Sequence, residues 1–246
     1  LTFIITLSAS SCAIPEPKFE TTSSAATQRA VLRGELKEAL ESYESQAREA
    51  EKNAAASWFP QQYWKAAASA YREASRAAMF SGQLQKSIAL GEKALEIGVK
   101  LKDPSRQLGA IDPLIGAYRS VRNFDKAREL IERGLVIVKE IPPSTNSRIA
   151  WEGGLYLYSG DEHMRRREYE KAIEAFSNSL YQQRDYLSNL ERWRAQSWTR
   201  PWLEPTRIGI VTRLNRLGNA YRLAGKYQEA MEQYQRAFDS IKEWGL

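Results

Sequence analysis

The chain has 246 residues, of which 43% are hydrophobic and 27% charged, and its formal net charge is +6. This composition excludes a disordered chain, and its helix-forming residues without β-hairpin alternation predict an all-α protein. The single cysteine and single histidine, Cys12 and His163, exclude a disulfide framework and a multi-cysteine metal site. No phosphate-binding, zinc-protease or serine-hydrolase motif is present, so we predict no enzymatic activity and no cofactor.

An apolar run over residues 1–7 is followed by small residues, an order typical of the end of a secretory signal. Ser10 and Ser11, directly before Cys12, resemble a bacterial lipobox. That resemblance implies lipidation of Cys12 and, with Ala13 next, sorting to the outer membrane. We therefore expect a lipoprotein of the bacterial cell envelope that faces the periplasm. One alternative is a signal cleaved elsewhere, which would give a secreted or periplasmic protein, and the other is a soluble chain.

Three segments precede the main body of the chain. Residues 1–12 form the leader, which lacks a charged start, and residues 13–27 are rich in Pro, Ser and Thr and predict a flexible tether. Residues 28–58 place Leu36, Leu40 and other large side chains on one helical face. We predict one N-terminal helix there, either a cap on the following structure or a spacer.

Residues 61–246 repeat one arrangement of small and aromatic side chains four times. A small residue anchors the second predicted helix of each copy: Ser87, Ala127, Ala172 and Ala230. Prolines fall between copies, where they can end one helix pair and begin the next. Aligned on these anchors, the sequence predicts four antiparallel helix hairpins, at about 61–101, 105–140, 145–190 and 205–244.

The last copy is the best formed, with Leu217, Gly218 and Tyr221 followed by Ala230 and Tyr234. This stretch resembles a tetratricopeptide (TPR) repeat, in which L-G-x2-Y precedes A-x3-F. The resemblance implies a TPR superhelical solenoid of about four antiparallel helix hairpins, preceded by the N-terminal helix. Gly218 and Ala230 are small enough for two helices to approach closely, and one hairpin alone cannot bury its apolar face.

The segment 182–205 is the least repeat-like part of this region and is interpreted as an insertion. It combines Trp193, Trp198 and Trp202 with several arginines. Aromatic and arginine side chains together are typical of contact surfaces. The alternative is that the tryptophans extend the preceding helix and pack back on the solenoid.

In a TPR solenoid the first helix of each hairpin lines a concave groove. The resemblance therefore implies that partners contact the side chains at groove-facing positions. Asparagine and arginine there can hold a peptide backbone or a carboxylate through directed hydrogen bonds. The predicted partner-binding residues are Arg72, Arg76, Asp112, Arg119, Asp161, Asn215, Asn219 and Arg222.

These features predict a non-enzymatic scaffold that binds a protein or peptide in the groove, held at a membrane by its lipid anchor. No basic block is interleaved with a nucleic-acid motif, so we expect no nucleic-acid partner despite the positive charge. Hairpins padded to about 40 residues also resemble the TPR sensor region of bacterial proteins that carry a caspase-like (CHAT) protease domain. The alternative function is therefore the regulatory arm of a larger protein.

Overall fold

The computed structural model describes residues 33–143, 145–193 and 199–246. The predicted leader with Cys12, the whole predicted tether and residues 28–32 lie outside these residues. The described chain is built from helices without any strand, which confirms the predicted all-α class. The helices are α1 (Leu36–Ala56), α2 (Gln61–Phe80), α3 (Leu84–Lys100), α4 (Pro104–Ser120), α5 (Phe124–Ile137), α6 (Asn146–Arg165), α7 (Tyr169–Arg192), α8 (Arg200–Leu223) and α9 (Tyr227–Trp244).

Consecutive helices pack against one another along the whole described chain. The pairs α2–α3, α4–α5, α6–α7 and α8–α9 form antiparallel hairpins, and a short 3-10 turn, Val138–Glu140, extends α5. No described helix is both long and apolar enough to span a membrane.

The turn inside each hairpin has the same conformation at the same register. Five residues before each anchor stands a residue with positive φ: Gly82 at 76°, Arg122 at 60°, Arg167 at 62° and Gly225 at 78°. The residue after it donates its backbone N–H across the turn, as Lys226 does to the carbonyl of Tyr221 at 2.9 Å. This closing bond satisfies a carbonyl that the helix end leaves without a partner. Two arginines therefore adopt a left-handed conformation that usually favours glycine.

The two helices of each hairpin cross at a buried pair of residues twelve positions apart. In the first hairpin the pair is Ser75 and Ser87, both fully buried. Each hydroxyl donates to the other's backbone carbonyl, both at 2.8 Å, so the buried oxygens are satisfied. In the third and fourth hairpins the first-helix member is a glycine, Gly160 or Gly218, against which the ring of Phe176 or Tyr234 packs. The small residue is what allows the helix axes to come close.

Helix α1 packs along α2 through two large side chains in its first half, Leu40 and Tyr43, and through alanines in its second half. Ala47, Ala50 and Ala54 are each at most 3% exposed. Polar contacts fix its position: Glu51 accepts from the hydroxyl of Tyr71 at 2.7 Å and from the ammonium of Lys93 at 2.8 Å. Helix α1 therefore packs directly on the first hairpin.

The segment predicted as an insertion is helical at both ends. Helix α7 continues without interruption to Arg192, and α8 begins at Arg200. Trp193 is half exposed and Trp202 is 38% exposed, while Trp198 lies outside the described residues. The long helices α7 and α8 account for most of the extra residues that separate the last two anchors, Ala172 and Ala230.

We predict that Gly160→Ala destabilises the protein by about 1–3 kcal/mol, because the added methyl group would overlap the ring of Phe176. Gly154→Ala is the matched control, since it lies on the same helix and its added methyl group would meet nothing within 4 Å. That control should be neutral or stabilise the helix by up to about 1 kcal/mol. Urea unfolding of the two variants checks the prediction, and equal midpoints would contradict it.

Candidate interaction groove

The first helices of the four hairpins lie parallel and side by side. Arg106 on α4 donates to the carbonyl of Lys65 on α2, and further along both helices Arg76 pairs with Asp112. Contacts between α4 and α6, and between α6 and α8, likewise advance in the same direction along both helices. The four helices therefore form one continuous wall, which is where the predicted groove residues lie.

A charged cluster joins the first three helices of this wall. The Arg76 guanidinium donates to Asp112 at 2.9 Å and to the fully buried Glu73 at 3.2 Å. Arg72 also pairs with Glu73, at 2.8 Å. On the next helix, the hydroxyl of Tyr158 donates to the second oxygen of Asp112 at 2.9 Å. Asp112 thus links α2, α4 and α6.

The ionisation of this cluster follows from its burial and its neighbours. Burial alone would lower the pKa of Arg76, but the charges of Asp112 and Glu73 more than offset it, and the pKa is raised. The pKa of Tyr158 lies well above its usual value, first because ionisation would place a second negative charge beside Asp112, and second because of burial. The cluster therefore holds a charged arginine and a neutral phenol.

A second cluster joins α4, α6 and α8 through Asp161. Its carboxylate is 8% exposed and accepts from Arg119 on one side, at 3.0 Å, and from Arg216 on the other. The Arg119 guanidinium also lies 5.7 Å from the ring centre of Tyr158, which connects the two clusters. The two arginines are 34% and 45% exposed, so their outer N–H groups face the solvent in the groove.

The structure brings five of the predicted residues together: Arg72, Arg76, Asp112, Arg119 and Asp161. The remaining three, Asn215, Asn219 and Arg222, are exposed on α8. Asn219 accepts the hydroxyl hydrogen of Tyr234 at 2.9 Å through its carbonyl oxygen, so only its amide group can donate to a ligand.

The sequence did not indicate three further members of the two clusters, Glu73, Tyr158 and Arg216. All three stand fourteen residues before the anchor of their hairpin. This position directly follows the one that holds the predicted groove residues Arg72, Asp112 and Asn215 in the other hairpins or in the same one. That shared register is a signal in the sequence, but the side chains differ in charge and size. Only the contacts of the folded chain reveal what they do: Tyr158 and Arg216 donate to carboxylates of the preceding hairpin, whereas Glu73 pairs with two arginines of its own helix.

A cleft of about 290 Å³ opens beside the first cluster. Its polar wall is formed by Arg76, Asp112 and Tyr158, and its apolar wall by side chains of α2 and α4, among them Met79 and Pro113. The cleft can therefore hold an apolar side chain of a ligand next to a charged hydrogen-bonding group.

Behind the wall lies a buried arginine without a carboxylate partner among the described residues. Arg213 is 8% exposed. It donates to the hydroxyl of Ser179 at 2.8 Å and to the carbonyls of Gly209 and Gly153 at 3.0 and 3.4 Å. Burial lowers its pKa to about 10, so the side chain remains a cation at neutral pH. Its charge adds to the positive potential of the groove wall.

The groove carries more cations than anions. Five exposed or half-buried arginines (Arg72, Arg76, Arg119, Arg216 and Arg222) face three carboxylates (Glu73, Asp112 and Asp161). Over the described residues no group of three or more His, Cys, Asp or Glu side chains could hold a metal ion. The surface is suited to directed, charge-assisted hydrogen bonding.

The comparisons with known proteins agree with this architecture. Residues 211–240 match the family model described as a tetratricopeptide repeat. Over 90% of its length, the chain resembles the TPR-like repeats of a protein assigned as a Podosopora anserina kinesin light chain, with TM-score 0.60 and 20% identity over 93% of that structure. It also resembles BtubC (BKLC) from P. vanneervenii, with TM-score 0.51 and 17% identity over 85% of this chain and 92% of that one. No curated protein sequence matches.

These likenesses confirm the predicted TPR-like helical solenoid. They also confirm a TPR repeat at the last hairpin, where the sequence resemblance is strongest. Repeats of this family typically serve as non-catalytic scaffolds for protein–protein interaction.

We predict that Asp161→Asn lowers the free energy of unfolding by about 1–3 kcal/mol, because two arginines then lose the carboxylate that they share. Glu96→Gln is the control, since Glu96 and its partner Lys100 are both more than 60% exposed. It should leave the urea midpoint unchanged. An Asp161→Asn midpoint equal to that of the parent protein would contradict a structural role for this ion pair.

Proposed function

We propose that the protein is a non-enzymatic scaffold that binds a peptide or a domain of another protein in the concave groove. The observation that carries this proposal is the row of arginines across the wall of parallel helices, which α2, α4 and α8 supply, from Arg72 on α2 to Arg222 on α8. Carboxylates hold the central guanidiniums in place, so little side-chain entropy remains to be lost when a ligand binds.

The charge balance favours a partner segment that carries carboxylates. Asp112 and Asp161 neutralise their nearest arginines only in part, and Arg119 and Arg216 keep N–H groups directed at solvent. Guanidinium groups pair with carboxylates through two parallel hydrogen bonds. An apolar side chain of the same segment would occupy the cleft beside Met79 and Pro113.

The cellular setting forms the second part of the proposal. The lipobox-like residues before Cys12 support a lipid anchor that holds the scaffold in the bacterial envelope, on the periplasmic face of the outer membrane. Anchoring would raise the local concentration of the groove near membrane-bound partners, which strengthens binding without any new contact.

We expect Asn219→Ala combined with Arg222→Ala to weaken partner binding by at least about tenfold, because two exposed donors are lost. The partner segment is first selected from a library of acidic peptides, and its affinity is then measured by fluorescence anisotropy. Arg133→Ala is the matched control, since it removes an exposed arginine from α5, a second helix outside the groove. Equal affinities of the two variants would rule out the groove as the site.

The anchor has its own test. We expect Cys12→Ser to abolish the membrane association that survives a high-salt wash, because lipid chains are held by the hydrophobic effect, which salt does not screen. Cell fractionation of the native chain and the variant measures this. If the variant stays in the washed membranes at the native level, Cys12 does not carry a lipid anchor.

A further inference from the structure

The tryptophans of the described chain are confined to one edge of the solenoid. They lie in the turn before α2, in the early turns of α2, α6 and α8, or at the ends of α7 and α9: Trp58, Trp64, Trp151, Trp193, Trp202 and Trp244. Since the first helices run parallel, their starts lie on the same side, and the second helices end there. We call this side the tryptophan edge.

Three of these tryptophans are open to solvent. Trp58 is 95% exposed, Trp193 is 52% exposed and Trp202 is 38% exposed. Phe59, next to Trp58, is 68% exposed as well. Two adjacent aromatic rings at the tip of a turn contribute nothing to the core, and they lie outside the groove. Their exposure therefore calls for an external contact.

Basic side chains stand among these aromatic residues. Five exposed basic side chains near the tryptophan edge form no ion pair among the described residues: Lys52, Lys102, Lys139, Arg192 and Lys242. Three carboxylates stand among them: Glu140, Glu204 and Glu243. The edge is therefore basic. The opposite edge also carries unpaired basic residues, such as Arg122 and Lys226. The two edges therefore differ in their tryptophans and not in their charge.

We propose that the tryptophan edge rests on an anionic lipid bilayer, with Trp58 and Phe59 inserted at the level of the headgroups. Tryptophan favours this depth because its ring is apolar and its indole N–H is polar, and interspersed lysines are attracted to anionic lipid. The core of a protein interface is one contiguous patch that becomes fully buried. Here the exposed rings are separated along the edge, with Trp58 and Phe59 before α2 in the first hairpin and Trp193 and Trp202 near the end of α7 and the start of α8.

This contact is independent of the proposed groove ligand and of Cys12. The edge lies at the ends of the helices, whereas the groove runs across their sides, so the groove would stay open while the edge rests on lipid. The contact would also orient the scaffold, because a lipid chain joined through the tether predicted for residues 13–27 would not by itself fix which side faces the membrane.

The test is vesicle cosedimentation of the full chain carrying Cys12→Ser, which removes any lipid anchor. We expect binding to vesicles of phosphatidylcholine and phosphatidylglycerol in equal parts, and much weaker binding to phosphatidylcholine alone. Adding Trp58→Ala and Phe59→Ala should lower the partition coefficient by at least about tenfold, since two inserted rings are lost. Both side chains are solvent-exposed, so the thermal unfolding midpoint should not change.

The matched control replaces Tyr181 and Tyr227 by alanine. These rings are 70% and 68% exposed, but lie in the middle of α7 and at the opposite edge. The proposal requires that this control binds vesicles like the parent chain. It is overturned if neither vesicle type is bound, or if both double variants lose binding equally. It is also overturned if Trp58→Ala with Phe59→Ala spares vesicle binding but abolishes capture of a protein partner, which would make the edge a protein-contact surface.

Discussion

The close crossing of two helices within each hairpin is the constraint on which the rest of this structure depends. It occurs at a pair of residues twelve positions apart, and at least one member of each pair is small. In the first hairpin this position is held by Ser75 instead of glycine, and its buried hydroxyl donates to the backbone carbonyl of Ser87 on the facing helix. Without the small residue the helix axes would separate, and the aromatic side chains between them would lose their contacts.

A fixed crossing also determines how the hairpins stack. Because the turn inside every hairpin has the same length and a residue in the left-handed conformation at the same position, the first helices emerge parallel and present one wall. The charges on that wall then pair between hairpins as well as within α2. Asp112 and Asp161 each join three consecutive first helices, so groove geometry and solenoid packing depend on one another.

The folded chain therefore offers two chemically different surfaces. The groove is lined by ordered guanidiniums beside a cleft, and is suited to directed hydrogen bonds with a carboxylate-bearing segment. The tryptophan edge presents separated aromatic rings and flexible lysines, and is suited to a lipid surface whose groups rearrange freely. Their positions, across the helices and at the helix ends, allow both to be occupied together.

The sequence by itself determined the all-α class, the register of four hairpins and the helix faces that form the groove, because these follow from local spacing of small and aromatic residues. Tertiary structure decided the rest. The sequence offers no sign that Arg122 and Arg167 take the place of glycine in two turns, since a shared turn length imposes that conformation. Nor does it show that Tyr158 and Arg216 complete the charged clusters, because their partners lie on other hairpins, 46 and 55 residues away. Spacing within a helix reveals faces, whereas ion pairs between hairpins exist only once the solenoid has stacked.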